Sequence, residues 1–250
     1  LIQEDAAGLP IFIMLSGGAD SEIVARCFLD AEINFTPVYF KYNRTLWDEE
    51  YHAQRFCNEN DLDLKTIHFD EDTFLKKEVF SLAEKYKINE PFAAFDIKRM
   101  EMLDGYSVFG TGDLVLEWHP KQNKIFSLEM GALSIPHIYL AETGRPSCYQ
   151  FFQHTPELLL SYLNEPIILK WIELAPTMGF DDIRYFKYYM FKKIWPSLVV
   201  RNKFYGYERF ADAYYATQQL LKKNFSYKVE RPLIALEKIY SQLDPQGYYS

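Results

Sequence analysis

Three short stretches carry residue types that could do chemistry: Ser16-Gly17-Gly18-Ala19-Asp20-Ser21, Gly110-Thr111-Gly112-Asp113 and Arg201-Asn202-Lys203. The first is the most informative. Two adjacent glycines let a backbone bend sharply and leave no Cβ between its N–H groups and a ligand. If a helix starts at once, its first-turn N–H groups have no intrahelical acceptors and its dipole adds partial positive charge. The combination is an anion cradle, and phosphate is its usual guest.

The elements that must hold this cradle are legible on both sides of it. Ile11, Phe12, Ile13, Met14 and Leu15 form an unbroken apolar run, which suits a central parallel strand buried on both faces. Ile23, Val24, Cys27, Phe28 and Ala31 form one helical stripe. Further strands are expected over 36–40, 64–69 and 106–110, and helices over 48–60, 73–87 and 92–103. Pro37 is tolerated because it stands at the start of its strand. Strands alternating with helices imply right-handed crossovers and a doubly wound parallel α/β sheet. Ligands of such sheets bind beyond the carboxyl ends of the strands, at the switch point in strand order. The Ser16 loop belongs there.

Ser16-Gly17-Gly18-Ala19-Asp20-Ser21 resembles the SGGxDS signature of the PP-loop ATP pyrophosphatases, the superfamily of asparagine synthetase, GMP synthetase, NAD synthetase and the adenylylsulfate reductases. No Gly-Lys-Ser/Thr follows, so it does not resemble the Walker loop. The resemblance implies an adenine nucleotide hydrolase-like fold, a loop that grips the pyrophosphate of ATP, and attack at the α-phosphorus. Glu22 departs from the pattern, standing where most members carry Ser or Thr. A carboxylate beside bound pyrophosphate is unfavourable unless it points away or meets a metal.

Gly110-Thr111-Gly112-Asp113 is similar to the second loop of the asparagine synthetase and β-lactam synthetase group, though one residue shorter than their Gly-x-Gly-Ala-Asp form. There the Asp binds magnesium, so the resemblance implies a Mg2+ held by Asp20 and Asp113, as a triphosphate requires a hard cation with oxygen ligands. Arg201-x-Lys203 resembles the Arg-x-Lys-x-Gly segment of the same group, with Gly206 displaced by one position. It implies that Lys203 offsets charge building at the α-phosphate. With Lys203, Asp20 and Asp113 in catalytic roles, the nucleotide would lie against Leu15, Ser16, Gly17, Gly18, Asp20, Ser21, Gly110 and Thr111. Its adenine would rest on backbone near Phe40, at the end of the second strand.

Beyond residue 113 the alternation ends. A hairpin is expected from 114–118 and 124–128 about the turn His119-Pro120-Lys121-Gln122-Asn123, with His119 structural. Residues 131–153 show little periodicity and read as a substrate-facing loop. Thr155-Pro156-Glu157 and Asn164-Glu165-Pro166 look like helix starts, and Asp181-Asp182 opens another helix closed by Pro196. The expected organisation is a nucleotide-binding domain over residues 1–113, then a mainly helical, aromatic-rich annex over 114–250 that serves as the substrate or lid region on the same core.

A chain of 250 residues can bury a full core. Its net charge of -8 argues against broad nucleic-acid binding. No apolar run approaches the length of a membrane span and no secretory leader is evident. The chain opens on Leu1 rather than Met, as a processed or trimmed chain would. Cys27, Cys57 and Cys148 are unclustered, which fits a reducing, cytoplasmic setting; Cys27 reads as core and Cys148 is the one candidate for reactivity. The 19 Tyr and 20 Phe suit either core packing or a pocket for a planar group.

Taken with the resemblance, the expected activity is an asparagine synthetase-like adenylating ligase using ATP and Mg2+. A substrate carboxylate would attack the α-phosphorus, and ammonia or an amine, from solution or a separate donor protein, would displace AMP. A homodimer is among the assemblies the resemblance admits. Two alternatives stay open: a sulfonucleotide reductase-like enzyme, and a regulatory protein that binds nucleotide without turnover.

Overall fold

Ile11–Met14 forms strand β1, and all four of its residues are buried, as an uninterrupted apolar run demands of a strand covered on both faces. The computed structural model describes residues 1–43, 47–88, 91–112, 115–128, 134–178, 191–199, 212–216 and 233–243. Two compact units divide the chain: Leu1–Gly110 with Ala132–Tyr149 and Arg201–Val229, and Thr111–Gly131 with Gln150–Val200 and Glu230–Ser250.

In the first unit a short helix α1 (Ile2–Ala6) precedes β1, and α2 (Ala19–Asp30), β2 (Thr36–Tyr42), α3 (Trp47–Glu59), β3 (Lys65–Phe69), α4 (Glu71–Lys77), α5 (Val79–Tyr86), α6 (Pro91–Glu101) and β4 (Tyr106–Val108) follow. In the second, β5 (Val115–His119) and β6 (Lys124–Leu128) come next; the chain then returns to the first with α7 (Ser134–Thr143) and β7 (Ser147–Cys148). The first unit holds an all-parallel sheet in the order β3-β2-β1-β4-β7. The chain steps outward from β1 through β2 to β3, then restarts on the other side with β4 and β7. That reversal puts the switch point between β1 and β4. The expected doubly wound α/β fold is present, consistent with the adenine nucleotide hydrolase-like architecture.

Two sequence expectations change here. The single helix read over 73–87 is two helices, broken at Glu78 (φ −120, ψ −40). Phe74 and Phe80 are both buried in the same core. Six residues apart, they would lie roughly 120° apart around one straight helix. The break falls between them. The region 131–153, read as a loop, supplies α7 and the fifth strand. β7 is only two residues long, too short for alternation to show. It is held by its partners: Ser147↔Ser107 and Cys148↔Val108 in register, with the Ser107 hydroxyl 2.9 Å from that of Ser147. Arg145 caps the end of α6, donating to the carbonyls of Met100 (3.0 Å) and Leu103 (2.7 Å).

The second unit contains the expected hairpin, antiparallel with His119 opposite Lys124. His119 therefore sits in β5, packed on Phe126 at 4.9 Å between ring centroids. A third strand, β8 (Leu233–Ala235), pairs antiparallel with β6 and was not foreseen. Helix α8 (Pro156–Leu163) starts as its sequence suggests, with the Thr155 hydroxyl accepting from the Leu158 amide at 3.1 Å. Helices α9 (Pro166–Met178) and α10 (Leu236–Leu243) complete the labelled elements. The start expected at Asp181-Asp182 lies outside the described residues, but helical turns over 191–194 do end before Pro196. Among the described residues no helix is long and apolar enough to cross a membrane.

The three thiols are not exposed nucleophiles. Cys148 is 1% exposed inside the sheet, and burial pushes its pKa up to about 12. Burial likewise raises Cys57 to about 12 and Cys27 to about 11. In the unfolded chain each would ionise near its ordinary value of 9.0. Above that value the unfolded state binds fewer protons than the folded one, so stability falls as pH rises from about 9 through the folded pKa values. We expect the urea midpoint to drop between pH 9 and pH 11. At pH 8, Ellman's reagent should label Cys57 and Cys148 only after unfolding. Fast native labelling of Cys148 would contradict this burial.

Candidate functional site

Leu15 continues the ladder beyond β1, its amide donating to the Val38 carbonyl at 2.8 Å, and its side chain is fully buried. The chain leaves the sheet at Ser16. Gly17 then takes φ +73, the left-handed region where glycine carries no Cβ penalty. Gly18 returns to extended backbone (φ −83, ψ 158) as the N-cap of α2, with no side chain closing the cap. The tight turn and immediate helix start expected from the sequence are thus both present.

Two hydroxyls brace the turn from within. Ser21 Oγ donates to the Gly18 carbonyl at 2.9 Å and accepts from the Ser16 amide at 3.2 Å. Because the one Ser21 hydroxyl proton goes to Gly18, the 3.2 Å contact between the two hydroxyls is donated by Ser16. The Gly18 amide reaches Ser16 Oγ at a longer 3.4 Å. Ser16 and Ser21, singled out as phosphate contacts, therefore also set the shape of the cradle.

Gly110 closes the switch point. A Cβ at this position would come within 2.9 Å of Ser21 Cα and N, and 3.0 Å of the Asp20 carbonyl carbon. The backbone after β4 thus lies directly on the first turn of α2, and only glycine permits that approach. Thr111 follows in the second unit, its carbonyl accepting from the Phe152 amide at 3.4 Å. Gly112 has φ +89, and a Cβ there would meet Gln150 Cβ at 2.8 Å. Asp113, Arg201 and Lys203 lie outside the described residues.

Asp20 is in the first turn of α2, half-buried beside the cradle. Among the described residues no three His, Cys, Asp or Glu side chains gather as a metal centre. Nucleotide-bound magnesium needs only one or two carboxylates, since phosphate oxygens and water fill the remaining positions. Asp20, half-buried in the first turn of α2 beside the glycine turn, is a carboxylate that fits such a role.

Glu22 is 3% exposed, and both its oxygens are committed. Oε1 accepts from Arg26 Nε (3.1 Å) and Nη2 (2.7 Å), and Oε2 accepts from Arg55 Nη2 (2.9 Å) on α3. The carboxylate that departs from the loop pattern is thus neutralised by two guanidinium groups.

A second buried charge pair sits at the carboxyl edge of the sheet and was not singled out in the sequence. Asp96 on α6, 0% exposed, pairs with Arg99 and accepts from the Tyr149 hydroxyl at 2.7 Å. The Arg99 guanidinium lies over the rings of Phe95 (5.2 Å) and Phe109 (5.5 Å). Phe109 follows β4 and Tyr149 follows β7. Tyr42, the last residue of β2, also meets Arg99; burial raises its hydroxyl to about 12 against the pull of that guanidinium. The sequence offered only an acid and a base three residues apart, among the four charged residues of this helix. Phe40 proves not to be the strand end: β2 runs on to Tyr42, and the Phe40 ring packs in the core against Phe69 at 6.4 Å.

Removing one partner from a buried ion pair typically costs about 3–5 kcal/mol, and losing a hydrogen bond to a charged group about 1.5–3. Arg99→Met should therefore destabilise the protein more than Tyr149→Phe. The double variant should cost less than the two added, because both act on Asp96. Urea unfolding of the three variants measures this, and full additivity would contradict a shared network.

No protein-family model matches the chain, and no curated protein matches it in sequence. Among solved structures, one described as the structure of NMN synthetase from Francisella tularensis aligns over 92% of this chain and 96% of that one, at 12% identity and a TM-score of 0.33. That likeness is too loose to assign a role to any residue.

Proposed function

We propose that the protein is an AMP-forming, ATP-dependent ligase of the PP-loop type, asparagine synthetase-like in its chemistry. The observation that carries the proposal is the placement of Ser16-Gly17-Gly18-Ala19-Asp20-Ser21. This stretch turns from a doubly buried strand into a helix N-terminus at the switch point, with Gly110 packed on its first turn. Backbone amides of the turn hold the β- and γ-phosphates, and α2 contributes its dipole. Asp20, with Asp113, would hold Mg2+, which would supply positive charge against the phosphate oxygens. A substrate carboxylate attacks the α-phosphorus, the α–β bridging oxygen leaves with pyrophosphate, and an acyl-adenylate remains. Ammonia or an amine then displaces AMP. Lys203, by the Arg201-x-Lys203 resemblance, would offset the charge that develops at the α-phosphorus.

Both alternatives weaken on specific observations. A reductase-like reaction needs a nucleophilic thiolate, and burial holds all three cysteines far above neutral pH. Loss of turnover was suggested by Glu22, whose carboxylate is committed to Arg26 and Arg55.

The test is ATP-to-AMP conversion read by pyrophosphate release over a panel of carboxylates with ammonium. Gly18→Val is the informative variant: its backbone angles admit a side chain, whereas Gly17 at φ +73 does not. Gly18→Val should keep its fold and lose ATP binding; retained affinity would count against the cradle. Lys203→Ala should lower kcat about 100-fold with little change in ATP affinity, the mark of a group acting on the transition state. Lys203→Arg should rescue poorly, since a planar guanidinium does not replace a compact ammonium. Normal turnover in Lys203→Ala would remove that role.

A further inference from the structure

Glu22 does more than avoid the ligand. Its amide donates to the Gly18 carbonyl at 3.1 Å and closes the first turn of α2 onto the glycine turn. Its side chain leaves the same turn and meets Arg55 on α3. Arg26, one turn further along α2, binds the same carboxylate and lies over the Phe56 ring of α3 at 5.4 Å. Arg55 is itself held by Glu59, Nη1 lying 3.1 and 3.3 Å from its two carboxylate oxygens. Two contacts therefore join α2 to α3, one ionic and one between a cation and a ring face, and both run through groups that grip Glu22. A helix joined at two points one turn apart cannot rotate about its axis without breaking one of them.

We propose that Glu22 and Arg55 are positioning residues: the ion pair locks the rotation of α2 and so aims the amides of Ala19 and Asp20, in its first turn, into the switch-point crevice. That aim matters if the crevice holds phosphates, so the functional consequence rests on the reading above; the mechanical claim does not. Amides that stabilise an anion act only when preorganised, and displacement of a reacting group by about 1 Å can cost a hundredfold in rate. A Ser or Thr at position 22 could not reach α3. In this chain the carboxylate supplies a tether where the loop pattern has a short hydroxyl.

The test has two arms on the full chain. Amide hydrogen exchange of the ligand-free protein is compared for wild type, Arg55→Met, Glu22→Gln, Arg55→Lys and Glu59→Gln. In Arg55→Met the amides of residues 17–23 should exchange about tenfold faster while those of the β1 and β4 strands change less than about twofold. Glu22→Gln should act in the same direction, which covers a poorly folding Arg55→Met. Arg55→Lys, which keeps one charged contact, should restore most of the protection, and Glu59→Gln, which removes only an exposed partner, should leave it intact. Unchanged exchange at 17–23, or a uniform rise across the sheet as from a general loss of stability, would overturn the proposal. In the second arm, Mg·ATP binding is measured by calorimetry; we expect about tenfold weaker binding by Arg55→Met and recovery in Arg55→Lys. Absence of ATP binding by the wild type would sink the ligase reading, while the exchange arm would still decide the tether.

Discussion

The contact between Gly110 and the first turn of α2 is the constraint on which the site depends. Any side chain at Gly110 would collide with backbone atoms of Ser21 and Asp20, which have nowhere to go. The carboxyl end of β4 and the start of α2 are therefore held against each other, and the crevice at the switch point has one fixed wall. Gly17 supplies the complementary condition, because only a residue at ease with positive φ turns the chain fast enough from a buried strand into a helix. Ser16 and Ser21 then hold the turn through hydroxyls rather than bulk.

Among the described residues, two buried carboxylates, Glu22 and Asp96, are resolved in the same way, each by pairing with arginine. An isolated carboxylate in a dry interior is strongly unfavourable, and pairing with a guanidinium that also finds ring faces or further acceptors offsets that cost. Glu22 has Arg26 and Arg55; Asp96 has Arg99 and the Tyr149 hydroxyl. The first network joins two helices beside the glycine turn. The second joins α6 to the residues that end β2, β4 and β7. Replacing a buried ion pair by well-packed apolar residues is often neutral or stabilising, so net stability is not the best account of either network. A guanidinium donates in only a few fixed directions, so such a pair suits the orienting of the elements it joins.

This arrangement also bears on which chemistry the fold can run. Phosphate binding at a helix N-terminus needs no side-chain nucleophile, only amides held in place. A thiol mechanism would need an ionised cysteine near the carboxyl edge, and Cys148 lies in the adjoining strand with its proton held by burial.

The glycine turn, the strand before it and the helix after it were legible in the sequence because all their determinants are local. An apolar run, two glycines and an apolar stripe lie within about twenty consecutive residues and each acts on its own backbone. The N-cap at Thr155 was legible for the same reason. The fifth strand was not: Ser147 and Cys148 are a strand only because β4 offers a ladder edge and Arg145 ties the preceding turn to α6. β8 exists through its pairing with β6, more than a hundred residues earlier, and no local pattern reports such a partner. The break at Glu78, between the buried Phe74 and Phe80, follows from tertiary packing that the local pattern does not report. Among the site residues, the sequence marked Gly110 as a glycine in a loop, and only packing revealed that its missing Cβ is what the loop requires. Glu22 was visible as a departure from a pattern, but its direction was decided by Arg55, thirty-three residues away on another helix. Local propensity chooses the elements; long-range packing and charge pairing choose which of their side chains face the site.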